Sequence, residues 1–393
     1  MSIPASPPKR ASFLAFSPPA LSEEEIAEVV DTLRSDWITT GPKARRFEQE
    51  FSAYLQAPAA LALNSCTAGL HIALATLGIG PGDEVITTPM TFVASVNVIE
   101  HVGARPVLVD VEPDTLNIDP EKVARAITSR TRAILPVHFT GHPVELDAIQ
   151  ALATQHSLHV VEDAAHALPA SYRGRPIGSS SNPTAFSFYA TKNLTTAEGG
   201  MLTGDPEFLD RARVLSLHGM NRDAWRRYDR GASWFYEVTV PGFKYNLTDI
   251  QAALGLVQLR RLAAMQERRR ALVARYLQAF EDEDALVLPV ERAHVEHAWH
   301  LFVIRLRPEL LSIDRNQFIE ELTELNVGTS VHFIPVHLHP YYRDRYGFAP
   351  GDLPIAHDAY QAMLSLPLNA RMSDGDQEDV IAAVQHLLRV HRR

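Results

Sequence analysis

Short apolar runs that alternate with helical stretches fill the first half of the chain, and this rhythm limits what it can fold into. From about residue 59, an apolar run at 60–63 is followed by a helical stretch at 67–77. Further segments follow at 84–87, 92–101 and 106–110. The pattern continues through 133–137, a helix near 145–156, and the run His159-Val160-Val161 that ends at Asp163. Strands apolar on both faces need cover on both faces, so the pattern predicts an α/β fold with a mostly parallel sheet between two layers of helices. Ligands of such sheets gather at the carboxyl ends of the strands.

The flanking segments are helical. Ser22-Glu23-Glu24-Glu25 opens a helix reaching about residue 34, with Ser22 as N-cap and Glu25 placed for a capping box. The stretch Thr39-Thr40-Gly41-Pro42 reads as a loop, and a second helix covers 43–55. Residues 247–280 keep helical spacing without a proline and look like a connection between domains. Beyond them lie a run at 299–305, a helix near 315–326 and a final helix over 374–390, enough for a smaller α+β unit. The expected organisation is an N-terminal extension over 1–17, a large domain over 18–260 and a small C-terminal domain over 261–393. A chain of 393 residues can bury a deep site of this kind.

Charge and cysteine content narrow the function. A net charge of -10 provides no basic field for nucleic acid, and Arg268-Arg269-Arg270 reads as a solvated helix face. The single cysteine, Cys66, excludes an internal disulfide framework, fits a reducing compartment and reads as a small packing residue. The first ten residues lack the apolar core of a signal peptide, and no run approaches the roughly 18 apolar residues of a membrane span. A cytoplasmic protein without membrane insertion is expected, and no metal site is assigned.

The residues that carry chemistry centre on Lys192, in Ser187-Phe188-Tyr189-Ala190-Thr191-Lys192-Asn193, with Glu198-Gly199-Gly200-Met201 following. A lysine in apolar, aromatic surroundings cannot hold its charge cheaply, so its amine is available as a Schiff-base nucleophile. Read alone, Lys192 is more often a surface lysine at a strand end. Asp163 ends a buried strand in Val160-Val161-Glu162-Asp163-Ala164-Ala165-His166, where a carboxylate needs a partner. A pyridinium nitrogen is such a partner, and an N-cap aspartate is the plainer alternative. Asn64-Ser65-Cys66-Thr67-Ala68-Gly69-Leu70 turns from strand into helix and offers a phosphate site, with Thr67, the Ala68 amide and the Ser187 hydroxyl as donors. Phe92 follows a strand and could lie over a cofactor ring or simply fill the core.

In this order these segments resemble the DegT/DnrJ/EryC1/StrS sugar aminotransferase family over nearly the whole chain from Pro18 onward. The resemblance implies the aspartate-aminotransferase-like fold type I of pyridoxal 5'-phosphate enzymes, working as a homodimer with shared active sites. Lys192 would carry the cofactor, Asp163 would face its pyridine nitrogen, and His166 would lie near its ring hydroxyl. Thr67, Ala68 and Ser187 would bind the phosphate, and Phe92 would stack on the ring. A segment matching Gly242-Phe243-Lys244-Tyr245-Asn246 reaches the neighbouring subunit's phosphate in the family. Many members have Asn and then Arg where this chain has Lys244 and Asn246, so either of the two is the candidate contact.

Within the family the chain is most similar to enzymes that aminate C4 of UDP-4-keto sugars, the UDP-4-amino-4-deoxy-L-arabinose synthase type. The likeness rests on Trp37-Ile38-Thr39-Thr40-Gly41-Pro42-Lys43, Tyr245-Asn246-Leu247-Thr248-Asp249-Ile250, His297-Ala298-Trp299-His300-Leu301-Phe302 and Val327-Gly328-Thr329-Ser330-Val331-His332-Phe333. Phe92 departs from that type, which usually carries tryptophan there. The implied reaction takes the amino group of L-glutamate, releases 2-oxoglutarate and delivers the nitrogen to the ketone of a nucleotide sugar, with Lys192 moving the proton. Thr40, Gly41, His332 and Tyr341 are the candidates for lining the sugar-nucleotide site. Dehydrating relatives carry histidine in place of the lysine, which Lys192 argues against. The rival readings are an aminotransferase for an inosose or another ketone, and a non-catalytic sensor of the same fold.

Overall fold

The computed structural model describes residues 9–220 and 235–393. The strands paired side by side are, in order, Ala59–Leu63, Gly200–Gly204, Thr184–Ser187, the run 159–163, Thr131–Leu135, Glu84–Thr87 and Arg105–Leu108. The run 159–163 joins the two halves of this sheet, since His159–Val160 pairs with Thr131–Leu135 and Glu162–Asp163 with Thr184–Ser187. All strands run parallel except Gly200–Gly204, which is antiparallel to both neighbours. The doubly covered parallel sheet expected from the apolar runs is therefore present, and its boundaries shift by only a residue or two. Glu84–Thr87 and Asp374–Val390 fall where the spacing puts them.

Local chemistry explains several element ends. The capping box of Ser22 and Glu25 forms at the start of Glu23–Arg34. The second helix begins at Pro42, which had read as part of the preceding loop. Proline is well suited to a first helical position because its missing N–H would have no intrahelical partner. The other first-turn donors of that helix are met from far along the chain. Asp249, buried, accepts the N–H groups of Gly41 and Ala44 on Oδ1 at 2.8 and 2.9 Å and that of Lys43 on Oδ2 at 3.0 Å.

Asp249 also begins the long helix Asp249–Phe280, capped by Thr248 and Gln251. Its first half packs Ala252, Leu256, Leu259 and Leu262 with Phe47, Phe51 and Phe188 in the core of the large sheet. Its second half places Leu272, Val273, Tyr276 and Phe280 in a separate core with Trp299, Phe302 and Phe318. That second core covers an antiparallel sheet of Leu286–Val287, Phe302–Leu306 and Met363–Leu366, flanked by Arg315–Glu324 and Asp374–Val390. The helix thus passes from one core into the other.

The basic triplet on this helix is not a solvated face throughout. Arg269 is buried and donates to the carbonyls of Trp299, His300 and Leu368. Helical spacing places it on the same inward stripe as Met265, Leu272 and Val273. Carbonyls at the junction of the two cores supply the acceptors that its buried guanidinium needs. Among the described residues, no helix is long and apolar enough to cross a membrane.

The Asp249 arrangement has a measurable consequence. Replacing Asp249 with alanine leaves three backbone donors without their acceptor, and should cost about 2–4 kcal/mol. Urea unfolding should show a clear fall in the midpoint, smaller for Asp249→Asn, which keeps one acceptor oxygen.

Candidate active site

The segments that follow the carboxyl ends of the parallel strands converge on one cavity of about 480 Å3. Ser65, Cys66 and Thr67 come from the turn after Ala59–Leu63, and Thr91 and Phe92 from the turn after Glu84–Thr87. Asp163 and His166 come from the end of the central strand, Ser187 from the end of Thr184–Ser187, and Tyr189, Thr191 and Lys192 from the loop beyond it. His300, His332 and Phe333 close it from the side of the second core. This is the edge of the sheet where a parallel fold binds its ligand.

Lys192 sits in a loop that fastens to itself. The Phe188 N–H donates to the Gly199 carbonyl and the Thr196 N–H returns to Phe188, both at 2.9 Å. Asn193, next to the lysine, is buried and donates its side-chain amide to the carbonyls of Leu168 and Ala298, each at 2.9 Å. The lysine is therefore held at its base while its amine faces the cavity. Deep surroundings disfavour the charged form, and burial pushes the amine down to about 8, against the attraction of Cys66 and Asp163.

Asp163 is 5% exposed, and both its oxygens are engaged. Oδ1 accepts the Ala165 N–H at 3.0 Å, and Oδ2 accepts the Ser95 hydroxyl at 2.7 Å. His166 is packed between the ring of Phe333, at a centroid distance of 5.8 Å, and that of His300, at 4.5 Å. Its Nδ1 is sealed from solvent without a partner among the described residues. Burial first, then the charge of Lys192, pushes His166 and His300 well below the usual imidazole range. The same causes bring His332 down to about 4. Near neutral pH these imidazoles are uncharged, which leaves Lys192 as the basic cation among the residues around the cavity.

The helix Cys66–Thr76 begins at the cavity wall, and its N-cap Ser65 accepts the Ala68 N–H at 3.1 Å. The amides of Cys66 and Thr67 precede the first possible intrahelical acceptor and are available to an anion. Gly200 allows the adjacent strand to run directly beneath: a Cβ there would lie 2.6 Å from the Cys66 nitrogen. The motif Glu198-Gly199-Gly200 thus serves a close backbone approach.

Of the residues expected from the sequence, Thr67, Phe92, Asp163, His166, Ser187, Lys192 and His332 border this cavity. Phe92 is at its mouth, 60% exposed, with its ring 6.0 Å from that of Phe333. Ala68 lies behind the wall, with its amide already donated to Ser65. Thr40, Gly41, Lys244 and Asn246 are not brought to the cavity of the same chain. They form a separate cluster in which Lys244 donates to Asn246 and Asn246 donates to Thr40 at 2.6 Å. Gly41 is close-packed there, since a Cβ would fall 2.0 Å from the Trp37 indole nitrogen. Tyr341 lies apart on Pro340–Tyr346, exposed, its hydroxyl near Glu100.

Sequence reasoning passed over Ser95, Asn193, His300 and Phe333. Ser95 and Asn193 stood inside motifs already singled out, and the four-residue spacing of Thr91 and Ser95 was the available signal. His300 and Phe333 also stood inside segments singled out in the far half of the chain, but nothing local gave either a role, and their packing on His166 supplies it.

A half-buried lysine with a lowered pKa, a buried carboxylate and a helix N-terminus on one sheet edge match the three ends of pyridoxal 5'-phosphate: aldehyde, ring nitrogen and phosphate. The unpaired His166 nitrogen beside them fits the same group. Fold and cavity together define a pyridoxal-phosphate-dependent aminotransferase. The family model of the DegT/DnrJ/EryC1/StrS aminotransferase family matches residues 19–385, and the chain belongs to that family. It is 52% identical over 383 residues to the spore coat polysaccharide biosynthesis protein SpsC of Bacillus subtilis, covering 97% of this chain and 98% of that protein. It is 50% identical over 384 residues to the uncharacterized protein MJ1066 of Methanocaldococcus jannaschii, covering 98% of this chain and all of that one. Among solved structures, the PMP form of the putative sugar aminotransferase Spr1654 from Streptococcus pneumoniae superposes with a TM-score of 0.90 at 37% identity, covering 96% and 98% of the two chains.

The lowered lysine pKa can be tested on cofactor-free protein. Because burial disfavours the protonated amine, the neutral form should prevail above about pH 8. An ordinary lysine reaches that point only near pH ~10.4. The rate of acylation at Lys192, followed by peptide mass, should therefore rise with a midpoint near pH 8.

Proposed function

We propose that the protein transfers the amino group of L-glutamate to the C4 ketone of a nucleotide 4-keto sugar, with UDP as the nucleotide, yielding a 4-amino sugar for surface polysaccharide or lipid modification. The observation that carries this reading is the single cavity shared by Lys192, Asp163, His166 and the start of Cys66–Thr76. Support for the product class comes from the polysaccharide role in the name of SpsC and the sugar aminotransferase name of Spr1654.

When bound, pyridoxal phosphate supplies an electron sink next to the carbon that loses its proton. Lys192 would hold the cofactor between turnovers, and its amine would be the group that accepts the proton from the Cα of glutamate and gives it back. With the keto sugar the lysine runs the transfer in the opposite direction. A pKa near the working pH suits a group that must both accept and give a proton. Asp163 would keep the ring nitrogen protonated, His166 would meet the ring hydroxyl, and Phe92 would cover one face of the ring. Thr67, Ser187 and the free amides of the helix start hold the phosphate, with Ala68 completing that turn. His332 borders the space left for the sugar.

The protein works as a homodimer with shared sites, in a cytoplasmic setting. The cluster of Thr40, Gly41, Lys244 and Asn246 and the exposed Tyr341 lie away from their own cavity, and a second copy would bring such surfaces to it. Asn246 is committed on both sides, to Lys244 and to Thr40. Lys244 is exposed and has further donors, so it is the residue offered to the neighbouring phosphate. Thr40 and Tyr341 contribute to the sugar-nucleotide site, and Gly41 permits the close turn beside it.

Loading the enzyme with glutamate and offering a panel of nucleotide keto sugars and cyclitol ketones tests the substrate. Rapid turnover of UDP-4-keto sugars is expected, and turnover of cyclitols alone overturns the reading. Borohydride should fix a pyridoxyl group to Lys192 in the native protein and to no residue in Lys192→Ala. In a separate measurement, Lys244→Ala should weaken cofactor binding roughly ten- to a hundredfold by equilibrium dialysis, the loss expected for a hydrogen bond to a charged group. Asn246→Ala should do less.

A further inference from the structure

Ser95 and Thr91 stand outside the roles assigned above, yet they are the hydroxyl groups that brace the central carboxylate. Both are buried, with Ser95 wholly inaccessible; Thr91 precedes Phe92 on the turn, and Ser95 lies in the first turn of the helix Ala94–His101 that the turn leads into. Ser95 Oγ is 2.7 Å from Asp163 Oδ2, and Thr91 Oγ1 is 2.7 Å from Ser95 Oγ.

The direction of this chain follows from counting hydrogens. An ionised carboxylate only accepts, so Ser95 must donate its one hydroxyl hydrogen to Asp163. Ser95 then has only lone pairs to offer Thr91, and Thr91 must be the donor in that contact. The order is Thr91 to Ser95 to Asp163, with every hydroxyl hydrogen pointing at the carboxylate. On the other oxygen, the Ala165 N–H donates at 3.0 Å, so each oxygen has one protein donor and at least one lone pair left for a ligand. Cys66 Sγ is 3.9 Å from Oδ1 and adds only a weak contact.

We propose that Ser95, backed by Thr91, is a positioning residue that pins the Asp163 carboxylate and weakens its basicity so that the shared proton stays on the ring nitrogen. The physical reason is competition for one proton. A carboxylate deprived of its hydrogen-bond donors in a buried site becomes a stronger base and draws the proton toward itself. Donors held at 2.7 and 3.0 Å stabilise the ionised form and leave the proton on nitrogen, where it draws electrons from the reacting carbon. Because the turn also bears Phe92, one short segment sets both the ring's face and the polarity of its nitrogen.

The inference rests on the reading that Asp163 faces the ring nitrogen, and the test separates the two. Holoenzyme loaded with 15N-labelled pyridoxal phosphate reports the protonation of that nitrogen directly by its NMR shift, and stopped-flow absorbance gives the rate of the glutamate half-reaction. Native protein should show the protonated shift, and Asp163→Asn should lose it. In Ser95→Ala the shift should move toward the unprotonated value, with the half-reaction slowed roughly ten- to a hundredfold. Ser95→Thr, which keeps the hydroxyl, should restore both. Thr91→Val, which preserves shape, should give a smaller displacement in the same direction and a rate roughly threefold lower. An unchanged shift in Asp163→Asn overturns the reading of Asp163 and the relay with it. A shift lost in Asp163→Asn but unmoved in both Ser95→Ala and Thr91→Val overturns the relay alone.

Discussion

Keeping a carboxylate at the buried end of the central strand is the constraint on which the rest of the site depends. A charge in that position is expensive unless it is met by donors, and Asp163 is met on one oxygen by the Ala165 amide and on the other by Ser95. The strand that ends at Asp163 is also the one that joins the two halves of the sheet, so the carboxylate is positioned by pairing on both sides. Each neighbouring strand then contributes its own carboxyl-end turn to the same space. The cavity is a direct product of parallel pairing, because parallel strands present all their carboxyl ends at one edge.

The second core completes the cavity, and a few polar side chains tie it to the first. Asn193, adjacent to Lys192, links the carbonyls of Leu168 and Ala298, and Arg269 gathers those of Trp299, His300 and Leu368. These bonds hold His300 beside His166 and bring the cation-free wall of imidazoles against the lysine. Burial keeps those rings neutral, so they set no second cation beside the amine. A lysine with a pKa lowered to about 8 is the result of both bodies packing together.

Much of this was readable before the fold was known. The alternation of apolar runs disclosed the sheet, and Lys192, Asp163, Thr67 and Ser187 could be picked out because each falls at or shortly beyond the end of a strand. The capping signal at Ser22 lay in local sequence, where a side chain and a backbone amide three residues away determine the outcome. Arg269 was misread because a charged triplet on a helix says nothing about which member turns inward. That depends on the face the helix presents to the second core, and on carbonyls thirty to a hundred residues away.

The sequence by itself determined the parallel sheet, the chemical types at its carboxyl edge and the family to which they belong, since periodicity and turn position are local properties. Only the tertiary structure decided that Ser95 braces Asp163, that His300 and Phe333 flank His166, and that Lys244 and Asn246 lie outside their own chain's cavity. These contacts join segments far apart in the chain, and their geometry arises only when the two cores close on each other.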